Sequence, residues 1–179
     1  MTNRIDIVIP GEPIPQPRMT PVPVRDRKGN IVVNRKTGRP VIRMVTPKSK
    51  RADESGGIRG WKTLVAIKLR EALPWPRSPW DGPVELDVTF YFDRTEELKR
   101  PKHSSRELLH AVKPDLDNLV KAIKDVMTDV GIWTDDGRVS DCVTRKRYCA
   151  RDFGPGVRVI ARLIAPDTES LYDSAAKSV

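Results

Sequence analysis

Hydrophobic positions recur along the 179-residue chain at intervals that change from segment to segment. Ile5, Ile7 and Ile9 alternate loosely over residues 4–9 and predict a first strand. Residues 11–24 carry Pro13, Pro15, Pro17, Pro21 and Pro23, which forbids a helix and favours an extended crossing segment. Two turn signals follow, Lys28-Gly29-Asn30 and Thr37-Gly38-Arg39-Pro40, flanked by Ile31-Val32-Val33 and Val41-Ile42. That pattern predicts a β-hairpin arm, with a linker at 49–57. Ile58, Trp61, Val65, Leu69 and Ala72 then recur at steps of three and four, so a helix is expected over 58–73, stopped by Pro74, with Trp61 in the core. Residues 84–92 alternate strictly, with Val84, Leu86, Val88, Phe90 and Phe92 on one face of a strand. After a charged connection over 93–114, Leu116, Leu119, Val120, Ile123, Val126, Met127 and Val130 form one stripe of a second helix over 116–130, ended by Gly131. Strands over 139–148 and 157–164 close the pattern, joined through Asp152-Phe153-Gly154-Pro155-Gly156 as a hairpin. The expected architecture is α/β (α+β): a single domain over 1–165 with a mixed sheet and two main helices, in the order β, hairpin arm, α, β, α, β, β. A flexible tail is expected at 166–179.

Charge changes this picture. The chain carries 33 Lys+Arg against 24 Asp+Glu, a net charge of +9. The excess is concentrated in Arg18, Arg25, Arg27, Lys28, Arg35, Lys36, Arg39, Arg43, Lys48, Lys50 and Arg51, set against Asp26 alone. The remainder is close to neutral. A basic arm (18–51) on a neutral body fits a polyanion, because phosphate contacts release counterions, although a solvated basic loop has the same composition. Arg18 to Arg43 of this set, with Lys102 from the 93–114 connection, are the candidate DNA contacts. No apolar run reaches the ~18 residues of a membrane span, and Asp6 interrupts the early apolar stretch that a signal peptide needs. Cys142 and Cys149 are too few for a disulfide framework or a four-ligand zinc site.

Acids gather at the two ends of the second helix, in Pro114-Asp115-Leu116-Asp117-Asn118 and in Trp133-Thr134-Asp135-Asp136-Gly137. Each segment alone has an ordinary explanation, a helix cap in the first case and a turn in the second. A calcium loop fails, because the required glycine and closing glutamate are Val120 and Val126. His103 and His110 have no accompanying ligand pattern. Taken together, several carboxylates repel unless a cation stands between them, and hard divalent ions take oxygen ligands. An acidic spot on a basic protein is the charge distribution of a nuclease. Lys121, one turn after Asp117, either neutralises charge on the phosphate or forms an i, i+4 pair with that acid.

Pro114-Asp115-Leu116-Asp117-Asn118-Leu119-Val120-Lys121, then Asp125, then Gly131-Ile132-Trp133-Thr134-Asp135-Asp136, resembles the signature of RusA-type Holliday junction resolvases, including the spacing from Asp117 to Asp136. The opening Ile7-Val-Ile-Pro-Gly-Glu-Pro-Ile-Pro-Gln-Pro-Arg18 is similar to that family's start. The resemblance covers the first strand and about 58–164. Residues 20–57 are longer and more basic than in compact members.

This resemblance implies a phage- or prophage-type endodeoxyribonuclease, a homodimer that binds four-way DNA junctions and makes paired symmetric nicks with Mg2+ or Mn2+. Asp115, Asp117 and Asp136 would be the metal-binding catalytic acids, Lys121 a catalytic lysine, and Asp135 a support for the acidic cluster. It implies work in recombination, repair or phage DNA processing, in the cytoplasm of a bacterial or phage-infected cell. Two active sites related by a two-fold axis also suit a two-fold symmetric junction. Because a straight helix separates the acids by over ~20 Å, either it ends early or the acids meet across a dimer. A nuclease for flaps or forks, or a non-catalytic basic DNA-binding protein, has the same residues available. No glycine-rich phosphate loop or nucleophile elbow is present.

Overall fold

Both expected helices and the expected strands near 4–9, 84–92, 139–148 and 157–164 appear in the computed structural model, which describes residues 3–45, 57–74 and 78–164, whereas 31–33 forms only isolated bridges within the arm. In chain order the elements are β1 (Arg4–Pro10), β2 (Thr20–Pro23), β3 (Ile42–Val45), α1 (Gly57–Ala72), β4 (Val84–Phe92), β5 (Leu108–Leu109), α2 (Leu116–Asp129), β6 (Val139–Tyr148) and β7 (Gly156–Leu163). A 3-10 turn at Asp136–Arg138 leads into β6. The expected linker at 49–57, except Gly57, lies outside the described residues, as do Lys48, Lys50, Arg51 and the expected tail at 166–179.

The main sheet is mixed and runs β1-β7-β4-β6-β5, with β4 parallel to β6 and the other pairs antiparallel. β4 lies at its centre, with alternate residues from Val84 to Phe92 buried. Trp61, Val65 and Leu69 of α1 and Leu119, Ile123, Val126 and Met127 of α2 close over that face in one core. Each such aliphatic side chain contributes about 1.5–3 kcal/mol by leaving water. The other face is polar, with ion pairs Asp6–Arg158 at 3.1 Å, Glu85–Arg162 at 3.3 Å and Asp87–Arg145 at 2.5 Å.

The hairpin expected between 139–148 and 157–164 does not form. Parallel strands need a crossover, and α2 supplies it by carrying the chain from one end of β4 back to start β6 beside it. Residues 149–155 then cross the end of β4 and place β7 on its far side. There β7 and β1 approach so closely that a Cβ on Gly156 would stand 2.7 Å from the Ile9 carbonyl oxygen, which only glycine avoids. The helices end within a residue of expectation, although Ala72 is exposed and Leu73 is buried in its place. Trp61 and Trp133 are both in the core, and the Trp133 Nε1 donates to Thr128 Oγ1 at 2.7 Å.

The arm is a ribbon. β2 pairs with β3, and between them Val32 donates to Val24 and accepts from Val41, both at 2.8 Å. The Asp26 and Asn34 side chains close its two turns by accepting from backbone N–H groups at 28, 30, 36 and 37.

Expected as a loose charged connection, 93–107 is ordered around the buried Arg94. Its guanidinium donates to the carbonyls of Cys149 (2.8 Å), Ser104 (2.6 Å), Leu98 (3.2 Å) and Arg106. No helix among the described residues is long and apolar enough to cross a membrane.

Candidate functional site

The start of α2 is held from the sheet. Lys146, on the helix-facing side of β6, donates from Nζ to the carbonyls of Val112 and Pro114, each at 2.6 Å. Those carbonyls lie immediately before Asp115. Just upstream, His110 is buried between Phe92 and Tyr148, with ring centroids 4.3 and 4.5 Å away. Burial first, and then the Lys146 charge, push its pKa down, which favours the neutral ring between its two aromatic neighbours.

Asp115 occupies the N-cap position of α2, yet its side chain makes no capping hydrogen bond. The carboxylate is exposed at the positive end of a helix dipole and makes no ion pair among the described residues. Asp117, in the first turn, is met by Arg18: the guanidinium donates to Asp117 Oδ2 at 2.6 Å and to Asn118 Oδ1 at 3.4 Å. Arg18 is therefore a site residue at the root of the arm, brought there by the Gln16 N–H donating to the Asn118 carbonyl at 2.8 Å. The Arg18 hydrogen bond holds the Asp117 carboxyl below its ordinary pKa. Lys121 is exposed and makes no ion pair among the described residues; the i, i+4 pair with Asp117 is replaced by the Arg18 contact. Gln16, Arg18, Met19, Asn118 and Lys121 line an open cleft of about 380 Å³.

The second acidic segment divides in two. Asp135 caps the 3-10 turn, accepting from the Gly137 N–H at 2.8 Å, which is the ordinary turn role. Asp136 turns back toward α2, where Lys124 Nζ stands 3.5 Å from its Oδ2. Asp117, Lys121 and Lys124 fall on one stripe of α2, so two lysines lie between the acids. From Asp117 to Lys124 the helix rises about 10 Å. Asp115 and Asp117 thus share the start of α2, while Asp136 stands beyond its other end within one chain. Among the described residues no three His, Cys, Asp or Glu side chains are gathered to hold a metal. The donors suit a hard divalent ion in kind, as exposed carboxylate oxygens of which one is kept ionised, but the three acids are spread over both ends of α2.

Arg25, Arg27, Lys28, Arg35, Lys36, Arg39 and Arg43 are all exposed on the arm, and Arg25 also donates to the Gly29 carbonyl at 2.7 Å. Lys102 lies apart from them, paired with Glu97 at 2.6 Å. Both cysteines are free, Cys142 exposed and Cys149 buried. Sequence reasoning missed Lys124 and Lys146. Lys124 was readable from its place two turns after Asp117, whereas nothing local marks a strand lysine that reaches a distant loop.

An α+β domain with exposed acids at a helix start and an exposed lysine at the root of a basic arm is the class of protein that meets a polyanion. Residues 10–160 match the family described as Endodeoxyribonuclease RusA. The chain belongs to that family, whose members are endodeoxyribonucleases acting on Holliday junctions. It is also 32% identical over 107 residues to the uncharacterized protein YqaN of Bacillus subtilis (strain 168), covering 57% of this chain and 69% of that protein.

Proposed function

We propose that this chain is a divalent-metal-dependent resolvase that works as a homodimer, cutting four-way junctions by paired symmetric nicks in recombination, repair or phage DNA processing. One observation carries the reading: Asp115 makes no capping bond, Asp117 is held by Arg18, and Arg18 and Lys121 line one open cleft at the root of the arm. Asp115 and Asp117, joined by Asp136, would hold Mg2+ or Mn2+. Such an ion supplies an activated water and stabilises the leaving oxygen.

The chain's own residues do the rest. Arg18 keeps Asp117 ionised and is within reach of a phosphate that enters the cleft, where a guanidinium binds two oxygens at once. Lys121 points its charge into the same cleft and offsets the negative charge that builds on the phosphate. The arm's exposed arginines and lysines hold the flanking backbone without reading sequence. Asp135 supports the neighbouring acid by fixing the turn. The nicks leave 5′-phosphate and 3′-hydroxyl ends, and the enzyme acts in the cytoplasm of a bacterial or phage-infected cell, with no membrane partner.

The test is cleavage of a labelled synthetic four-way junction and a matched linear duplex, with Mg2+, with Mn2+ and with chelator. Symmetric nicks on the junction alone are expected, abolished by chelator and by Asp117→Asn with junction binding retained. Equal cutting of flaps or forks would shift the reading to a general branched-DNA nuclease. Tight binding with no cutting under either metal would overturn it and return Asp117 to a helix-start role.

A further inference from the structure

Phosphate binding accounts for the charge of the arm but not for its apolar surface. Over half of the large apolar side chains exposed among the described residues fall within 19–44. No residue from 14 to 45 is fully buried, so no described part of the chain covers them.

Backbone hydrogen bonds sort these side chains onto faces. The Val24 N–H donates to the Val41 carbonyl, that of Val41 to Val32 and that of Val32 to Val24, each at 2.8 Å, which closes a ring of three bonds. Two hairpins spring from the ring, with Arg25 opposite Ile31 in one and Val33 opposite Pro40 in the other. In the β2–β3 stem, Pro23 lies opposite Ile42 and Pro21 opposite Met44. Residues directly opposite share a face, and neighbours along a strand alternate. The three valines of the ring therefore take one side. Ile31, Val33, Pro40, Ile42 and Met44 take the other, where the four non-proline side chains are 43–58% exposed. Arg25, the charged residue of that face, is turned to the Gly29 carbonyl at 2.7 Å.

Cations rim the face. Arg27 and Lys28 sit in the turn of the first hairpin, and Arg35, Lys36 and Arg39 in that of the second. Against them stands Asp26 alone, whose Oδ1 accepts from the N–H groups of Lys28 and Asn30. An apolar face between cations is complementary to a duplex groove, with stacked bases at its floor and phosphates along its walls. An apolar protein patch would leave those cations unmatched. The face is almost without hydrogen-bonding side chains, so it is not built to read base edges in the major groove. Aliphatic and proline side chains instead act as wedges that enter from the minor groove and partly unstack a base step.

We propose that the arm lays this face into the minor groove of one branch of its junction substrate, with Ile31, Val33 and Pro40 wedged at a base step and the turn cations on the flanking phosphates. This rests on the branched-DNA reading above. The seven residues from Arg18 to Arg25 reach at most about 23 Å at strand rise, against about 3.4 Å for each base pair. The wedged step therefore lies within about seven base pairs of the phosphate in the cleft. TA steps, which unstack most readily, are its preferred position.

A set of synthetic junctions tests this, each with 2-aminopurine at a TA step a different distance from the branch point, and with chelator present so that nothing is cut. Wild-type protein should raise the fluorescence severalfold at one position within the arm's reach, because unstacking relieves quenching. Ile31→Thr with Val33→Thr and Ile42→Thr keeps the β-branched shape and every charge. That variant should lose the rise and bind roughly tenfold more weakly, with an unchanged slope of log K against log salt. Netropsin, which occupies the minor groove, should weaken wild-type binding to a junction with AT-rich branches, a readout that needs no variant. A rise that survives the threonine changes, or wild-type affinity indifferent to netropsin, would overturn the wedge. Wild-type protein that nicks the junction with Mg2+ yet brightens no probe would overturn it and spare the resolvase reading. Protein that brightens a probe but cuts under no metal would do the reverse, and protein that binds no branched DNA would remove both.

Discussion

Three aspartates in similar sequence settings have different fates. Asp135 is used as a cap, Asp115 stands where a cap belongs but makes no such bond, and Asp117 is held by a guanidinium from 99 residues away. The Asp117 carboxyl titrates below its ordinary value because Arg18 favours its charged form. In Arg18→Ala that titration should move up toward the usual carboxylate range of about 3.9, as followed by carboxyl-carbon NMR. An unmoved titration would show that the pair does not persist in solution. His110 offers a second pH test. Its folded pKa is lowered, so the unfolded chain takes up a proton first as pH falls past the ordinary value of 6.5. Stability is therefore full above that value and declines toward the folded pKa. The melting temperature should fall more between pH 7 and pH 5 in wild-type protein than in His110→Phe, and parallel profiles would refute this.

At the scale of elements, the site depends on how β6 grips the start of α2. Lys146 ties down the residues just before α2 with two charge-assisted hydrogen bonds from a neighbouring strand. Each such bond is worth about 1.5–3 kcal/mol, so Lys146→Met should lower the melting temperature measurably. Its particular signature is in the metal dependence: the half-saturating Mg2+ concentration for cleavage should rise several-fold, with partial rescue in Lys146→Arg. A variant that only melts earlier, with unchanged metal dependence, would limit Lys146 to a structural role. The helix itself was legible because its apolar stripe, from Leu119 to Val130, is continuous over several turns. The tether was not, because a lysine on a strand reads as a solvent-facing charge.

For the whole molecule, charge is distributed between a basic arm and a body whose ion pairs largely offset one another. The arm is a ribbon closed by backbone hydrogen bonds, which fixes its basic side chains relative to one another. Replacing residues 23–45 by a short glycine-serine linker should weaken junction binding. It should also reduce the slope of log K against log salt by about 0.9 for each phosphate that the arm would have neutralised. An unchanged slope would place the phosphate-binding groups on other surfaces. The wild-type Arg18 remains in that variant, so residual cleavage at low salt is expected.

Local periodicity determined the two helices and the four long strands, because helix and strand burial repeat at 3.6 and 2 residues, whereas the short β2 and β5 carry no such imprint. The acids at 115, 117 and 136 and the lysine at 121 were visible as residue types in a pattern. What the tertiary structure decided was every relation between distant segments. β6 pairs with β4 and not with β7, since a helix crossover makes parallel neighbours while the short 149–155 link only steps across β4. Arg18 joins Asp117, Lys146 joins Pro114, and Arg94 orders a loop that composition alone marks as loose. Such contacts join residues tens of positions apart, and their geometry exists only after the core has packed.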